Sequence, residues 1–299
     1  MVKPAPADAE LWGLRRQYLA RQLASLRSRV AMLQGKRLTF DQPTAWLAVQ
    51  LDRDPDLWNR HWVIAQLGQR PNDLLAAGAL AKAATSSDYF LTRAAAAQAL
   101  AEFPAVAALP PLQAALKDTS AQVRAAVVEA LGSVGGAQAA TLVRQAWTND
   151  SSSAVRAAAV VAIAQTDSAG RRPFLLQALL TPSYRDEIQN SAYRAIARSG
   201  DTTMVDSVNA HAGDHHFAPH VLAALAARGS TRALGLLVKL LNDDRMVVRG
   251  WALEAFQFSL RREIAQPALQ AARAGLKFDD TKRAVDRVLQ EWQKDSGGK

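Results

Sequence analysis

A phrase of eight residues recurs along this chain and constrains its fold more than any other feature. It opens on Arg, runs through small apolar residues, and closes on Ala and Leu. It reads Arg93-Ala-Ala-Ala-Ala-Gln-Ala-Leu100, Arg124-Ala-Ala-Val-Val-Glu-Ala-Leu131 and Arg156-Ala-Ala-Ala-Val-Val-Ala-Ile163. Weaker copies run from Arg60 to Leu67, Gln189 to Ile196, Ala218 to Leu225, Arg249 to Phe256 and Lys282 to Leu289. Their first residues lie 33, 31, 32, 33, 29, 31 and 33 apart. Self-similarity at such a period marks a stacked repeat architecture, because each repeat buries its apolar face only against its neighbours.

With the first residue of each copy as position zero, position +3 is always Val or Ala and position +7 is Leu, Ile or Phe. Positions +3, +4 and +7 share one side of a helix of 3.6 residues per turn. Position +6 is usually Ala, which lets a neighbouring helix approach closely. This phrase is the second helix of each repeat. A first helix precedes it, clearest at Leu109 to Leu116, Ala140 to Trp147, Pro173 to Leu180 and Arg232 to Leu241. Between the two lies a short polar turn. Asp54, Asp118, Asp150 and Asp243 fall six residues before position zero, and Ser87 and Ser183 hold the equivalent place. Both residue types accept hydrogen bonds from nearby backbone N–H groups. Gly68, Gly132, Gly200 and Gly229 follow second helices, where a left-handed C-cap is expected. The expected fold is all-α, an α-α superhelix of about eight helical hairpins (a HEAT/armadillo-like solenoid) over residues 41–299.

A turn Asp, then Val-Arg, then an Ala-rich helix ending in Ala-Leu-Gly resembles the HEAT repeat. Asp118-Thr-Ser-Ala-Gln-Val-Arg124 through Leu131-Gly132 carries the resemblance best, and Asp150 to Ile163 and Asp243 to Phe256 follow it. The copies at 189 and 218 lack the Arg and rest on spacing and apolar pattern. A narrower resemblance, over roughly residues 40–290, is to the C-terminal helical domain of bacterial zinc aminopeptidases of the aminopeptidase N type. Its segments are Phe40-Asp41, Trp46-Leu47, Gln50-Leu51, Asp54-Pro55-Asp56 with Arg60 and Trp62, Ser183-Tyr184 leading to Ala192 and Ala195-Ile196, and Ala224-Leu225. In that family the zinc ligands of H-E-x-x-H and the G-A-M-E-N segment lie in an upstream domain, and neither motif occurs here. The resemblance implies a fold, and a domain that encloses a peptide cleft, without any catalytic residue.

The formal charge of +9 is unevenly placed. Residues 1–40 carry eight Lys/Arg against two Asp/Glu, residues 41–260 carry 19 of each, and residues 261–299 carry nine against six. Phosphate binding along a groove needs a basic stripe down the body, so nucleic acid is not the expected partner. There is no Cys, which excludes disulfides and thiolate metal sites. No apolar stretch reaches the 18 or so residues of a membrane span. Residues 1–10 lack the apolar core of a secretory signal, which favours the cytoplasm.

Five features carry potential chemistry. The position-zero residues Arg60, Arg93, Arg124, Arg156 and Arg249 could bind phosphates, but their fixed offset from the turn Asp favours a structural bond to that Asp or to a carbonyl of the adjacent repeat. His211, His215, His216 and His220 crowd into ten residues with Asp214. Pro219 argues against one continuous helix presenting His216 and His220 together, so the segment reads as a turn with Pro219 in the first turn of the next helix. No metal ligand and no cofactor is expected there. Trp58 and Trp62, and Trp251 with Glu254, could cradle a flipped base, but aromatics at helical spacing more often fill gaps in a core. Residues 10–37 form a basic amphipathic helix with a heptad seam of Leu19, Leu23, Leu26, Val30 and Leu33. It suits a cap on the first repeat, or an acidic partner, a membrane surface or a second copy. Gly132-Ser-Val-Gly-Gly136 lacks the Lys and Ser/Thr of a phosphate loop and reads as a turn.

Partners are expected on the concave surface formed by the second helices. Positions +1 and +5 face away from the apolar side, and His61, Gln98, Glu129, Arg194, Glu254 and Arg287 are the candidate partner-binding residues. The list is mixed and nearly neutral, which suits an extended peptide or a partner's loop. The leading expectation is a non-catalytic interaction or scaffold module, not an enzyme, since no nucleophile–base pair stands out. The rival class is an enzyme on a HEAT scaffold, either an alkylated-base DNA glycosylase or a phycobilin lyase.

Overall fold

The structure is a computed structural model, and it describes residues 42–167 and 170–297. The basic helix and the boundary expected at residue 40 lie outside the described residues. Sixteen α-helices follow in order, with no strand among the described residues. They are α1 (Thr44–Arg53), α2 (Leu57–Gly68), α3 (Leu74–Ser86), α4 (Phe90–Leu100), α5 (Ala105–Ala115), α6 (Ala121–Val134), α7 (Gly136–Asn149) and α8 (Ser153–Thr166). Then come α9 (Arg171–Leu179), α10 (Glu187–Ser199), α11 (Val205–Asn209), α12 (Phe217–Ala226), α13 (Thr231–Leu240), α14 (Met246–Phe258), α15 (Arg262–Ala272) and α16 (Asp279–Gly297). Paired in sequence, they make eight hairpins, and the all-α repeat class expected from the periodicity holds. The chain forms two compact units, Met1–Ala162 and Ile163–Lys299.

In the first unit the second helices α2, α4 and α6 pack side by side, as do the first helices α1, α3 and α5. In the second unit α10, α12, α14 and α16 form one such row and α11, α13 and α15 the other. The repeat positions explain both rows. Every +3 residue and every +7 residue is buried, from Val63 and Leu67 through Val285 and Leu289. A helix row is thus a row of the same two positions, and shielding them from water is the main drive for stacking. Close approach at the small positions follows. A methyl added at Gly68 would stand 3.4 Å from the Ala99 Cβ of the next second helix.

The turns hold the stack in register, and here the structure corrects the expected pairing. Arg124 does not reach the side chain of its own turn Asp118. One terminal nitrogen donates to the Asp118 carbonyl oxygen at 2.9 Å. Nε and the other terminal nitrogen grip the Asp150 carboxylate of the following turn at 2.7 and 3.0 Å. Arg93 repeats this with the Ser87 carbonyl oxygen and the Asp118 carboxylate. Arg60 bonds the Asp54 carbonyl oxygen and Asp88, and Arg249 the Asp243 carbonyl oxygen and Asp280. Two of these carboxylates also accept a backbone N–H two residues on, Asp118 from Ser120 and Asp150 from Ser152. One Asp therefore shapes its own turn and receives the Arg of the repeat before it. Arg156 departs from the series. Its guanidinium carbon lies 4.7 Å from the centre of the Trp147 ring, and its Nε is buried without a hydrogen-bond partner.

The glycines divide. Gly200 takes the expected left-handed C-cap at φ 67°. Gly68 and Gly132 instead lie inside α2 and α6, and the chain breaks at Gly135, with φ 69°. Gly132 is buried between helices, so its role is packing rather than capping.

The Arg124–Asp150 bridge is largely shielded, with side-chain exposures of 17% and 13%. Arg124→Ala should lower the free energy of unfolding by about 2–3 kcal/mol, the weight of hydrogen bonds to a charged group, read from urea titrations. Arg232→Ala, whose pair with Asp206 is 69% and 65% exposed, should leave the midpoint unchanged. The Arg124 guanidinium holds the Asp150 carboxyl below its ordinary value against the opposing effect of burial. That stabilisation is complete above the ordinary carboxylate range, near pH 4, and is lost as pH falls through the depressed folded value. Asp150→Asn should be less stable than the parent at pH 7 and should lose less stability between pH 5 and pH 2.

Candidate functional site

Two clusters gather the residues that positions +1 and +5 singled out, one in each unit. In the first unit a shallow groove of about 490 Å³ runs across α2, α4, α6 and the start of α8. His61, Ala94, Gln98, Ala125 and Glu129 line it. These are the +1 and +5 positions of three successive repeats. Leu91, Gln122 and Ala154 add the residue two before position zero. The groove has a simple origin. Positions +3 and +7 turn inward, so +1 and +5 turn outward on the same helices, and Ala at +1 leaves a depression between longer neighbours. Its lining is apolar at the base and polar at the edge. Gln98 Nε2 donates to Glu129 Oε2 at 3.4 Å, and His61 Nε2 is buried without a hydrogen-bond partner.

In the second unit the other candidates fall near the histidines. Glu254 on α14 lies 3.4 Å from His216 Nε2. The Arg194 guanidinium on α10 stands 5.6 Å from the centre of the Phe217 ring. Arg287 is exposed on α16, apart from both in the repeat order. The structure thus brings His61, Gln98 and Glu129 into one groove, joins Glu254 to His216 and Arg194 to Phe217, and leaves Arg287 alone.

The histidine segment differs from its sequence reading in one respect. Pro219 does sit in the first turn of α12, as expected. It does not separate His216 from His220, because a first-turn residue has no intrahelical N–H bond to lose. His216 is the N-cap residue with helical φ and ψ, and its ring lies 5.1 Å from that of His220. Trp251 packs edge-on against His216 at 5.8 Å. His220 Nδ1 lies 2.7 Å from Ser259 Oγ, and its Nε2 is buried without a partner. Burial, reinforced by the neighbouring His216, holds the His220 imidazolium below its ordinary pKa. His215 stacks on Tyr193 at 4.6 Å, accepts the Phe217 N–H, and is held down mainly by burial. Burial raises the Tyr193 phenol far above its ordinary value, and the Asp214 charge adds to it. Ser259 and Phe217 were absent from the sequence reading, since neither falls at a repeat position that faces a partner.

The tryptophans also divide. Trp251 is half-buried against His216, as packing requires, whereas Trp58 is 69% exposed at the start of α2.

A family model of HEAT repeats matches residues 44–130, 77–164 and 109–197. No curated protein matches the chain in sequence. Among solved structures, the chain is similar to the Escherichia coli protein YibA, with 19% identity, a TM-score of 0.51, and 84% of this chain and 93% of that one covered. It is also similar to the CpcE–CpcF complex of phycocyanin lyase from Nostoc sp. PCC7120 (18% identity, TM-score 0.42, 84% and 95% covered). Human deoxyhypusine hydroxylase gives 19% identity, a TM-score of 0.41, and 84% and 96% covered. At these identities the likeness is one of fold. The expectation that the chain is not an enzyme is corrected: one fold hosts catalytic and non-catalytic proteins alike, so this architecture is no ground for setting catalysis aside.

Tyr193 offers a direct check on the packing of this cluster. In a native-state absorbance titration at 295 nm, Tyr193→Phe should reproduce the parent curve up to about pH 11, because the buried phenol stays protonated there. The two should differ by one tyrosine only after unfolding in denaturant.

Proposed function

The chain belongs to the HEAT-repeat family, and from that premise we propose that it is a protein-interaction module whose first unit holds an extended peptide or a partner's loop in the groove across α2, α4, α6 and α8. The observation that carries this reading is the groove's composition. Equivalent positions of consecutive repeats, His61, Ala94, Gln98, Ala125 and Glu129, form a continuous lining. A repeat that presents the same position at a regular interval meets a ligand that is itself regular along its length, and an extended polypeptide is such a ligand. The polar groups suit a peptide. Gln98 and Gln122 each carry a donor and an acceptor for backbone amides, and Glu129 adds one negative charge.

The same lining opposes nucleic acid. Its only charged side chain among the described residues, Glu129, is acidic, and phosphate contacts depend on Lys and Arg. Four of the five Arg residues that resembled a phosphate series, Arg60, Arg93, Arg124 and Arg249, are already engaged with carboxylates. The segment order similar to the C-terminal domain of aminopeptidase N-type enzymes supports a peptide-facing role as well, since that domain encloses a peptide cleft. Glu254 and Arg194 extend the proposal to the second unit, where they border the His216 cluster.

The test is selection of binding peptides on the immobilised parent chain, followed by measurement against Ala125→Trp. The indole fills the groove floor at a half-exposed position and should leave the melting temperature intact. Selected peptides should lose at least tenfold in affinity, and Glu129→Arg should weaken basic peptides while favouring acidic ones. Peptides that bind Ala125→Trp as well as the parent would overturn the reading.

A further inference from the structure

We propose that His216, His220 and Glu254 form a binding site for a divalent transition-metal ion, with zinc the fitting representative, through two imidazoles and one carboxylate. One ligand atom from each of these residues lies within 4.8 Å of the other two. Ligand atoms around a tetrahedral zinc ion, with bonds of about 2.0–2.1 Å, stand about 3.3 Å apart. His216 Nε2 and Glu254 Oε2 already stand at 3.4 Å. A side-chain adjustment of about 1–1.5 Å brings the third donor to the tetrahedral spacing.

Three further observations point to a ligand rather than to ordinary packing. The first is backbone placement. His216 and His220 are four residues apart at the start of α12, so their rings share one helix face, and Glu254 enters from α14, which packs beside it. The donors therefore come from rigid helices of adjacent repeats. The second is the unmet hydrogen-bonding capacity at His220. Its Nε2 is buried with no partner, a position that costs free energy unless something occupies it. The third is the contact on the opposite ring nitrogen. His220 Nδ1 sits 2.7 Å from Ser259 Oγ. When Nδ1 carries the proton and donates it to that hydroxyl, Nε2 holds the lone pair that a metal ion takes. This is the outer contact that metal-ligating histidines almost always make.

The donor set selects the metal. Imidazole nitrogens suit zinc, copper, nickel and iron, while magnesium and calcium prefer oxygen cages. Three protein ligands leave one position of a tetrahedral ion open to water or to an oxygen of a bound partner. His216 and Glu254 are 43% and 44% exposed, so that position can reach solvent. The Pro219 ring between the histidines is no obstacle, since the first turn of a helix needs no N–H at that place.

Calorimetry on tag-free protein, with zinc chloride as titrant and magnesium chloride as control, tests the site. One zinc per chain and no magnesium binding are expected, with cobalt(II) giving the visible d–d bands of a tetrahedral N/O site. Ser259→Ala should weaken zinc by about 10–100-fold, the usual cost of losing an outer contact. His216→Ala with His220→Ala should abolish binding, while His211→Ala should retain it. Because the double variant removes half-buried rings and can disturb folding, Glu254→Gln serves as a second variant at a more exposed position, with circular dichroism confirming the fold. Absence of stoichiometric zinc binding to the parent, or parental zinc affinity in both the double variant and Glu254→Gln, would overturn the proposal.

Discussion

The whole stack depends on one guanidinium contact that serves two turns at once. Arg carries N–H donors around a rigid plane. In Arg93, Arg124 and Arg249 one edge closes the residue's own turn by meeting a carbonyl oxygen six residues back. Other donors cross to an acidic side chain of the next repeat, and in Arg249 also to the Thr281 hydroxyl. The carboxylate that receives them already caps its own turn, so each turn is tied both to itself and to its predecessor. A hydrophobic row of +3 and +7 residues is non-directional and would tolerate sliding. The polar bridge does not, because bidentate geometry holds over only a few tenths of an ångström. Burial supplies the force for stacking, and the Arg–Asp contact supplies the register.

Where that contact lapses, the repeat changes character. Ser183 replaces the turn Asp and Gln189 replaces the Arg, and the two bond each other at 2.7 Å within one turn. The adjoining Arg185 and Asp186 take left-handed backbone conformations, φ 49° and 55°, which non-glycine residues adopt at a cost. The next repeat has Ala218 at position zero and carries His211, His215, His216 and His220. The Tyr193–His215 stack and the His216–His220–Glu254 group lie beside these two irregular repeats, with Glu254 supplied by the regular repeat that follows.

Much of this was legible in the sequence. The eight hairpins, the buried +3 and +7 rows, and the gathering of His61, Gln98 and Glu129 all follow from counting along a helix of known period. Other features were not legible, for a common reason. Arg124 and Asp150 are 26 residues apart, and His216 and Glu254 are 38 apart. Arg124 has a tempting acid six residues earlier, and only the packed turns show that this Asp turns its side chain to its own backbone instead. Gly132 looked like a helix stop because Gly often is one, yet its burial between helices outweighs its weak helix preference. Pro219 looked like a barrier, but a proline's effect depends on whether its N–H was needed.

The sequence by itself determined the architecture. Helix period, repeat spacing and turn chemistry are local properties, each written within about ten residues, so stacking hairpins were the only way to bury the recurring apolar positions. Tertiary structure alone decided which repeat each Arg bridges to, which outward-facing positions share a groove, and that two histidines and a glutamate from adjacent repeats converge on one point. Those outcomes rest on the offset between neighbouring helices. That offset arises when bulky and small side chains from distant segments settle against one another, and no single segment encodes it.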